Sequence, residues 1–236
     1  MYDEMKTADP NHYLDPVVQI LKTHWPANRC VNVVCHGHSV PAGYFATPRV
    51  DTFNAYPYLL HRGLKDRFPF AVINVIVTAI GGENSERGAA RFEDTVLCHR
   101  PDVLTLDYAL NDRRIGLAAS EAAWRSMIEN ALSRDVKVLL MTPTADSALT
   151  AAVTGERDAE SALALEPYPL RDHAELIRRL AGEYGVGLAD SFAAFEKYLA
   201  QGGALSDLLS WSNHPSRKGH ELATRELLCW FPAFGG

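Results

Sequence analysis

Five short runs of consecutive apolar residues punctuate the chain, at 31 to 36, 71 to 77, 102 to 107, 136 to 141 and 186 to 190, each rich in Val, Leu and Ile. Unbroken rather than alternating hydrophobicity is the pattern of strands buried on both faces. Between the runs, apolar residues recur at helical spacing, as at Ala90, Phe92, Val96 and Leu97 and again at Trp124, Ile128, Ala131 and Leu132. The pattern predicts helices over about 54 to 67, 86 to 99, 119 to 134, 170 to 184, 191 to 201 and 216 to 229. Pro57 fits the first turn of its helix, which places that start near Asn54 to Tyr56. Strands alternating with helices imply a central parallel sheet of about five strands with right-handed crossovers, an α/β fold in three layers (α/β/α). Residues 1–236 are read as a single domain without internal repeats or a linker. The longest irregular stretch, 142 to 169, follows the fourth strand and is either a substrate wall or lid, or a plain surface excursion.

In such sheets the functional groups collect beyond the carboxyl ends of the strands, where several loops converge. Three ends carry polar groups: Gly37, His38 and Ser39 after the first run, Gly81 to Asn84 after the second, and Ala109 to Asp112 after the third. His214 is the fourth contribution, from near the other end of the chain. Ser39 stands where a buried strand gives way to a tight turn, the position of an exposed nucleophile. With His214 to take its proton and fixed N–H donors aimed at the developing oxyanion, the set suits acyl transfer.

Composition narrows the partners more than the chemistry. The 236 residues are 47% hydrophobic and 22% charged, with a formal net charge of -6 and no basic tract. This argues against nucleic acid and anionic membrane and favours a small-molecule or carbohydrate ester substrate; the oligomeric state is left open. The N-terminal segment lacks the apolar stretch of a signal peptide, so the expected compartment is the cytoplasm, with secretion open if a leader has been removed. Cys30, Cys35, Cys98 and Cys229 share no CxxC spacing and read as reduced, mostly buried thiols. His36 and His38 flank Gly37, but neither HExxH nor a Cys/His cluster accompanies them, and no metal or other cofactor is expected. His38 is instead expected to line the pocket or to hydrogen-bond a neighbouring loop, His36 to pack, His220 to hold the start of the last helix, and Asp112 to orient its loop. Tyr44, Arg49, Arg113 and Arg114 lie just after these blocks. Tyr44 and Arg113 are the candidates with His38 for substrate binding, because the arginine fork matches paired oxygens.

Taken together, the blocks resemble the SGNH/GDSL hydrolases over nearly the whole chain. Gly-His-Ser at 37 to 39 resembles the nucleophile block, with histidine where aspartate is usual. Ala-Ile-Gly-Gly-Glu-Asn-Ser-Glu-Arg-Gly at 79 to 88 resembles the second, Leu-Asn-Asp at 110 to 112 the third, with Ala109 in the usual glycine position, and His214-Pro215 with Gly219-His220 the last. The resemblance implies a flavodoxin-like SGNH hydrolase fold, Ser39 as nucleophile, His214 as base, and Gly82 and Asn111 as oxyanion donors. It also implies an aspartate three residues before the histidine, where this chain has Trp211. Two substitutes for that carboxylate are considered, the backbone carbonyl of Trp211 and the side chain of Asp207. The activity implied is a serine esterase acting on a short, acetyl-type ester, carried by a carbohydrate in one version. A lysophospholipase or thioesterase, or a sugar O-acyltransferase, would use the same site, and a non-catalytic carbohydrate-binding module would retain only the fold.

Overall fold

Cys30–Gly37 (β1), Val72–Val77 (β2), Val103–Asp107 (β3), Lys137–Met141 (β4) and Gly187–Ala189 (β5) form one parallel sheet in the order β2-β1-β3-β4-β5. The computed structural model describes residues 7–147 and 169–232. Successive strand residues feed opposite cores. Val33, Cys35, Val103, Leu139 and Met141 pack with the helices Asp15–Lys22, Tyr56–Arg67, Ser191–Ala200 and Arg217–Leu228. Val34, Leu104, Leu106, Val138 and Leu140 pack on the other face with Leu117–Leu132 and much of Pro169–Tyr184. Each fully buried Val or Leu contributes about 1.5–3 kcal/mol, so this division of the strands between two cores is what holds the three layers together.

The strands fall where the apolar runs predict them, but β2 is not buried on both faces. It is an edge strand: Ile73 packs under the helix Tyr56–Arg67 while Val72 and Val77 are exposed. The helix expected over 86 to 99 is also broken, into Ser85–Ala90, Phe92–Thr95 and a 3-10 turn at Leu97–His99. Arg91 leaves the helical conformation there, and its guanidinium reaches back to Glu83 and the Thr78 carbonyl. The helix Asp15–Lys22 and the single turns Ser39–Ala42, Ala109–Asp112 and Leu205–Leu208 add to the expected set. Cys35 is buried and Cys30 partly so, but Cys98 and Cys229 are exposed, against the expectation of mostly buried thiols. Residues 142 to 147 are irregular, and the rest of the long stretch, 148 to 168, lies outside the described residues. Among the described residues no helix is long and apolar enough to cross a membrane.

The strand order reverses between β1 and β3, so the loops that follow them diverge and leave a crevice at their carboxyl ends. The two strands approach closely there. A Cβ on Gly37 would lie 2.4 Å from the Asp107 carbonyl oxygen, so only glycine lets β1 run to this point beside β3.

Two buried histidines brace the layers behind the crevice. His36 meets Thr78, the Gly88 carbonyl and Tyr108. His220 does not hold its own helix: its Nδ1 accepts the Tyr56 backbone N–H at 3.2 Å and so anchors the start of Tyr56–Arg67. Burial, the largest cause in both, lowers the pKa of His220 to about 3 and of His36 to about 4 from an ordinary value near 6.5. Both are neutral in the folded and unfolded chain above pH 6.5, and below it only the unfolded chain takes up the proton readily. Folding stability therefore falls on acidification, by up to about 1.4 kcal/mol per pH unit for each histidine, until the folded values are reached. Thermal melts from about pH 7 down to about pH 4.5 should show a falling midpoint, and His220→Gln should flatten that slope by about one proton. Identical slopes for the two proteins would show that His220 does not stay neutral when folded.

Candidate active site

Three loops are tied together where β1 ends. The His38 N–H donates to the Asp107 carbonyl at 3.2 Å, and the Ile80 N–H to the Gly37 carbonyl at 3.0 Å. Ser39 opens the single helical turn that follows, and its Oγ lies 3.0 Å from Nε2 of His214. The loop that delivers His214 is closed by a bridge between Leu209 and Pro215 and by the Ser216 N–H on the Leu208 carbonyl at 2.7 Å. Gly219 permits that closure, since a Cβ there would fall 2.4 Å from the Leu208 oxygen.

Nδ1 of His214 lies 2.9 Å from the backbone carbonyl of Phe45. A carbonyl only accepts, so Nδ1 carries the proton and Nε2 turns its lone pair to the serine hydroxyl. Phe45 is itself buried, with its ring 5.1 Å from that of His220. Its loop folds back through Tyr44 and Val50 and begins at Gly43, which has φ +89 and sits against the Thr52 backbone. Burial is the main cause that lowers the His214 pKa; the Phe45 bond opposes it and charge on His38 adds to it. A neutral imidazole facing a hydroxyl is a competent general base.

The N–H groups expected to hold an oxyanion, those of Ser39, Gly82 and Asn111, keep hydrogens to spare. Among the described residues neither the Ser39 nor the Gly82 N–H donates to a protein acceptor. Gly82 adopts φ +77, a conformation that favours glycine. The Asn111 amide donates one hydrogen to the Glu83 carbonyl at 2.9 Å, which leaves the other for a ligand. That carbonyl is held in place because the Glu83 carboxylate is gripped by Arg91 and by the Tyr108 hydroxyl. Asp112 orients the Asn111 turn, as expected, by accepting from the Ser85 N–H and the side chains of Ser120 and Trp124.

Neither substitute considered for the missing carboxylate reaches His214. The Trp211 backbone is taken up in the tight turn, its N–H on the His214 carbonyl at 3.3 Å, and its side chain is exposed. Asp207 points to solvent, where Tyr198 donates to it at 2.5 Å and Lys218 lies 3.6 Å away. Phe45, from the loop after the nucleophile, takes the place they were expected to fill. Arg113 is partly committed elsewhere: its Nε donates to the Leu110 carbonyl and its Nη1 pairs with Asp146. Arg49 pairs with Asp51, and Arg114 is exposed. Tyr44 does border the site, half open to solvent, with its ring 6.0 Å from that of His214 and packed on Gly81. His38 is buried against Ser39 rather than facing a pocket, its Nδ1 3.4 Å from Oγ.

The GDSL-like lipase/acylhydrolase family model matches residues 35–222. Among solved structures, a two-domain esterase active on acetylated mannans is similar over 93% of this chain, with 18% identity and a TM-score of 0.72. This chain spans about half the length of that esterase, 52%. An acetylxylan esterase from Geobacillus stearothermophilus is similar over 85% of this chain and 94% of its own, with 21% identity and a TM-score of 0.68. Catalytic mutants of that esterase replace a serine, a histidine, and an aspartate three residues before the histidine. At these identities the likeness shows the fold. No curated protein matches the chain.

The geometry separates two substitutions. Asp207→Asn, at an exposed ion pair, should leave kcat within about threefold of the parent, in keeping with the small worth of surface pairs. A loss of several hundredfold would place the carboxylate on His214 after all. Asn111→Ala should lower kcat about a hundredfold or more with little change in melting temperature, the usual cost of one oxyanion donor; unchanged turnover would remove Asn111 from the site.

Proposed function

Because the chain belongs to the GDSL-like lipase/acylhydrolase family and is a carboxylic ester hydrolase, we propose that it removes short acyl groups, chiefly acetyl, from carbohydrate hydroxyls through an acyl-enzyme on Ser39. The observation that carries the reading is the continuous contact from the Phe45 carbonyl through His214 to Ser39 Oγ, at 2.9 and 3.0 Å. In the proposed reaction Oγ attacks the ester carbonyl as its proton passes to His214 Nε2. The Ser39 and Gly82 N–H groups and the Asn111 amide hold the oxyanion, each worth about 2.7–4 kcal/mol in such sites. His214 returns the proton to the leaving alcohol, and water then releases the acid by the reverse sequence.

Two observations support a carbohydrate ester over a lipid. The similar esterases act on acetylated mannans and acetylxylan. The rim carries the half-exposed ring of Tyr44, a flat surface on which a sugar face can stack. Turnover of 4-nitrophenyl acetate should exceed that of the octanoate ester by at least about tenfold, and acetylated xylo- or manno-oligosaccharides should lose acetate. A fluorophosphonate probe should label the parent and not Ser39→Ala. Preference for the long acyl chain would overturn the substrate class, and an unlabelled parent would overturn the serine mechanism.

A further inference from the structure

We propose that His38 and Asp107 form a second proton-accepting pair on Ser39, bringing to the nucleophile from the opposite side the carboxylate support that His214 lacks. The inference rests on Ser39 being the nucleophile. Oγ lies between two imidazole nitrogens, Nε2 of His214 at 3.0 Å and Nδ1 of His38 at 3.4 Å. His38 Nδ1 also accepts the Val40 N–H at 3.3 Å. A backbone N–H can only donate, so Nδ1 is the unprotonated nitrogen and the ring proton sits on Nε2. Asp107 Oδ1 lies 3.3 Å from Nε2 but outside hydrogen-bond alignment. Slack contacts of this kind in an unliganded site tighten when charge develops.

The pairing is more than a helix cap requires. A cap uses only the side-chain acceptor that meets Val40, which asparagine or serine would supply. Here a carboxylate faces the far nitrogen of the ring, and the two side chains are only 1% and 3% exposed, in a setting where an opposite charge counts strongly. Gly37 exists at this point to let β1 and β3 meet, and the same approach sets Asp107 against His38.

In the proposed step the Ser39 O–H bond breaks as Oγ bonds the acyl carbon, and the carbonyl electron pair moves to its oxygen. The proton goes to His38 Nδ1 as an alternative to His214 Nε2, at the expense of the long Val40 bond, and the Nε2–H of the imidazolium then faces Asp107. The proton returns to the leaving alkoxide, so nothing is consumed. The charged and titratable groups around the pair are few. His214 contacts the same Ser39 Oγ, and charge on His38 disfavours charge on His214. Behind Asp107 lie Tyr56, from the helix Tyr56–Arg67, and Cys35 of β1; burial raises both, Cys35 to about 12, so neither ionises near neutrality.

The test uses the full chain as wild type, His214→Ala, His38→Asn, Asp107→Asn and the double variant His214→Ala/His38→Asn. Each is measured for kcat and KM on 4-nitrophenyl acetate across pH and for the rate of fluorophosphonate labelling at Ser39. Asparagine at position 38 keeps a cap acceptor for Val40. His214→Ala should retain slow labelling of Ser39, and adding His38→Asn should lower that residual rate by at least about tenfold. Asp107→Asn should lower kcat by about tenfold or more with KM little changed, and move the acid limb of its pH profile. A double variant no slower than His214→Ala overturns the proposal and leaves the pair as a cap and its filler. An Asp107→Asn protein that folds and keeps the parent pH profile does the same. If Asp107→Asn does not fold, the comparison of His214→Ala with the double variant decides alone. Wild type that is not labelled at Ser39 overturns the proposed function and this inference with it, whereas labelled wild type with an unaltered double variant overturns the inference only.

Discussion

The close passage of Gly37 beside the Asp107 carbonyl is the constraint on which the site depends. With any side chain at Gly37 the ends of β1 and β3 would have to part, since the Cβ would sit 2.4 Å from a backbone oxygen. Their contact fixes the His38 N–H on Asp107, starts the turn that carries Ser39 and sets Asn111 four residues beyond Asp107 in the adjoining loop. The loop after β2 is drawn to the same point by the Ile80 N–H on Gly37, which brings Gly82 alongside. One glycine at a sheet switch point thus locates Ser39 and the two neighbouring loops that carry Gly82 and Asn111.

The other consequence of the architecture is a histidine held by a carbonyl in place of a carboxylate. The Phe45 oxygen at 2.9 Å fixes the tautomer as well as an aspartate would, because tautomer choice needs only an acceptor. It stabilises the imidazolium less, because it carries a partial charge where a carboxylate carries a full one. Burial of His214 works in the same direction, keeping the ring neutral and ready to accept but making the cation costly.

Much of this was legible in the sequence, and the gaps have physical reasons. The apolar runs located all five strands because parallel strands under two helical layers are covered on both faces, as β3 is at every position, Thr105 and Asp107 included. β2 broke the rule because the helices cover it only in part, leaving Val72 and Val77 exposed. Ser39 and His214 were visible as chemistry-bearing residues at strand and loop ends, and the fold brings them together. Phe45 was invisible because every residue has a carbonyl, and nothing in a side chain marks the one that will be used. Looking for the histidine's partner within its own segment favoured Trp211 and Asp207, yet the partner comes from 169 residues away. Asp107 escaped notice as the polar end of an apolar run, its importance arising only from what β1 places against it.

The use of a carbonyl also changes what the loop after the nucleophile does. An aspartate three residues before the histidine would support it from within its own turn, independent of the rest of the rim. Here the support comes from the loop between Gly43 and Thr52, the loop that also carries Tyr44, whose ring lies on Gly81 and beside His214. Tyr44, which borders the site, and the Phe45 carbonyl that accepts from His214 are therefore one peptide apart in the chain. The Phe45 carbonyl is anchored by the buried Phe45 ring against His220 and by the hydrogen bond from the Phe45 N–H to the Arg49 carbonyl, which makes His220 part of what keeps His214 in register.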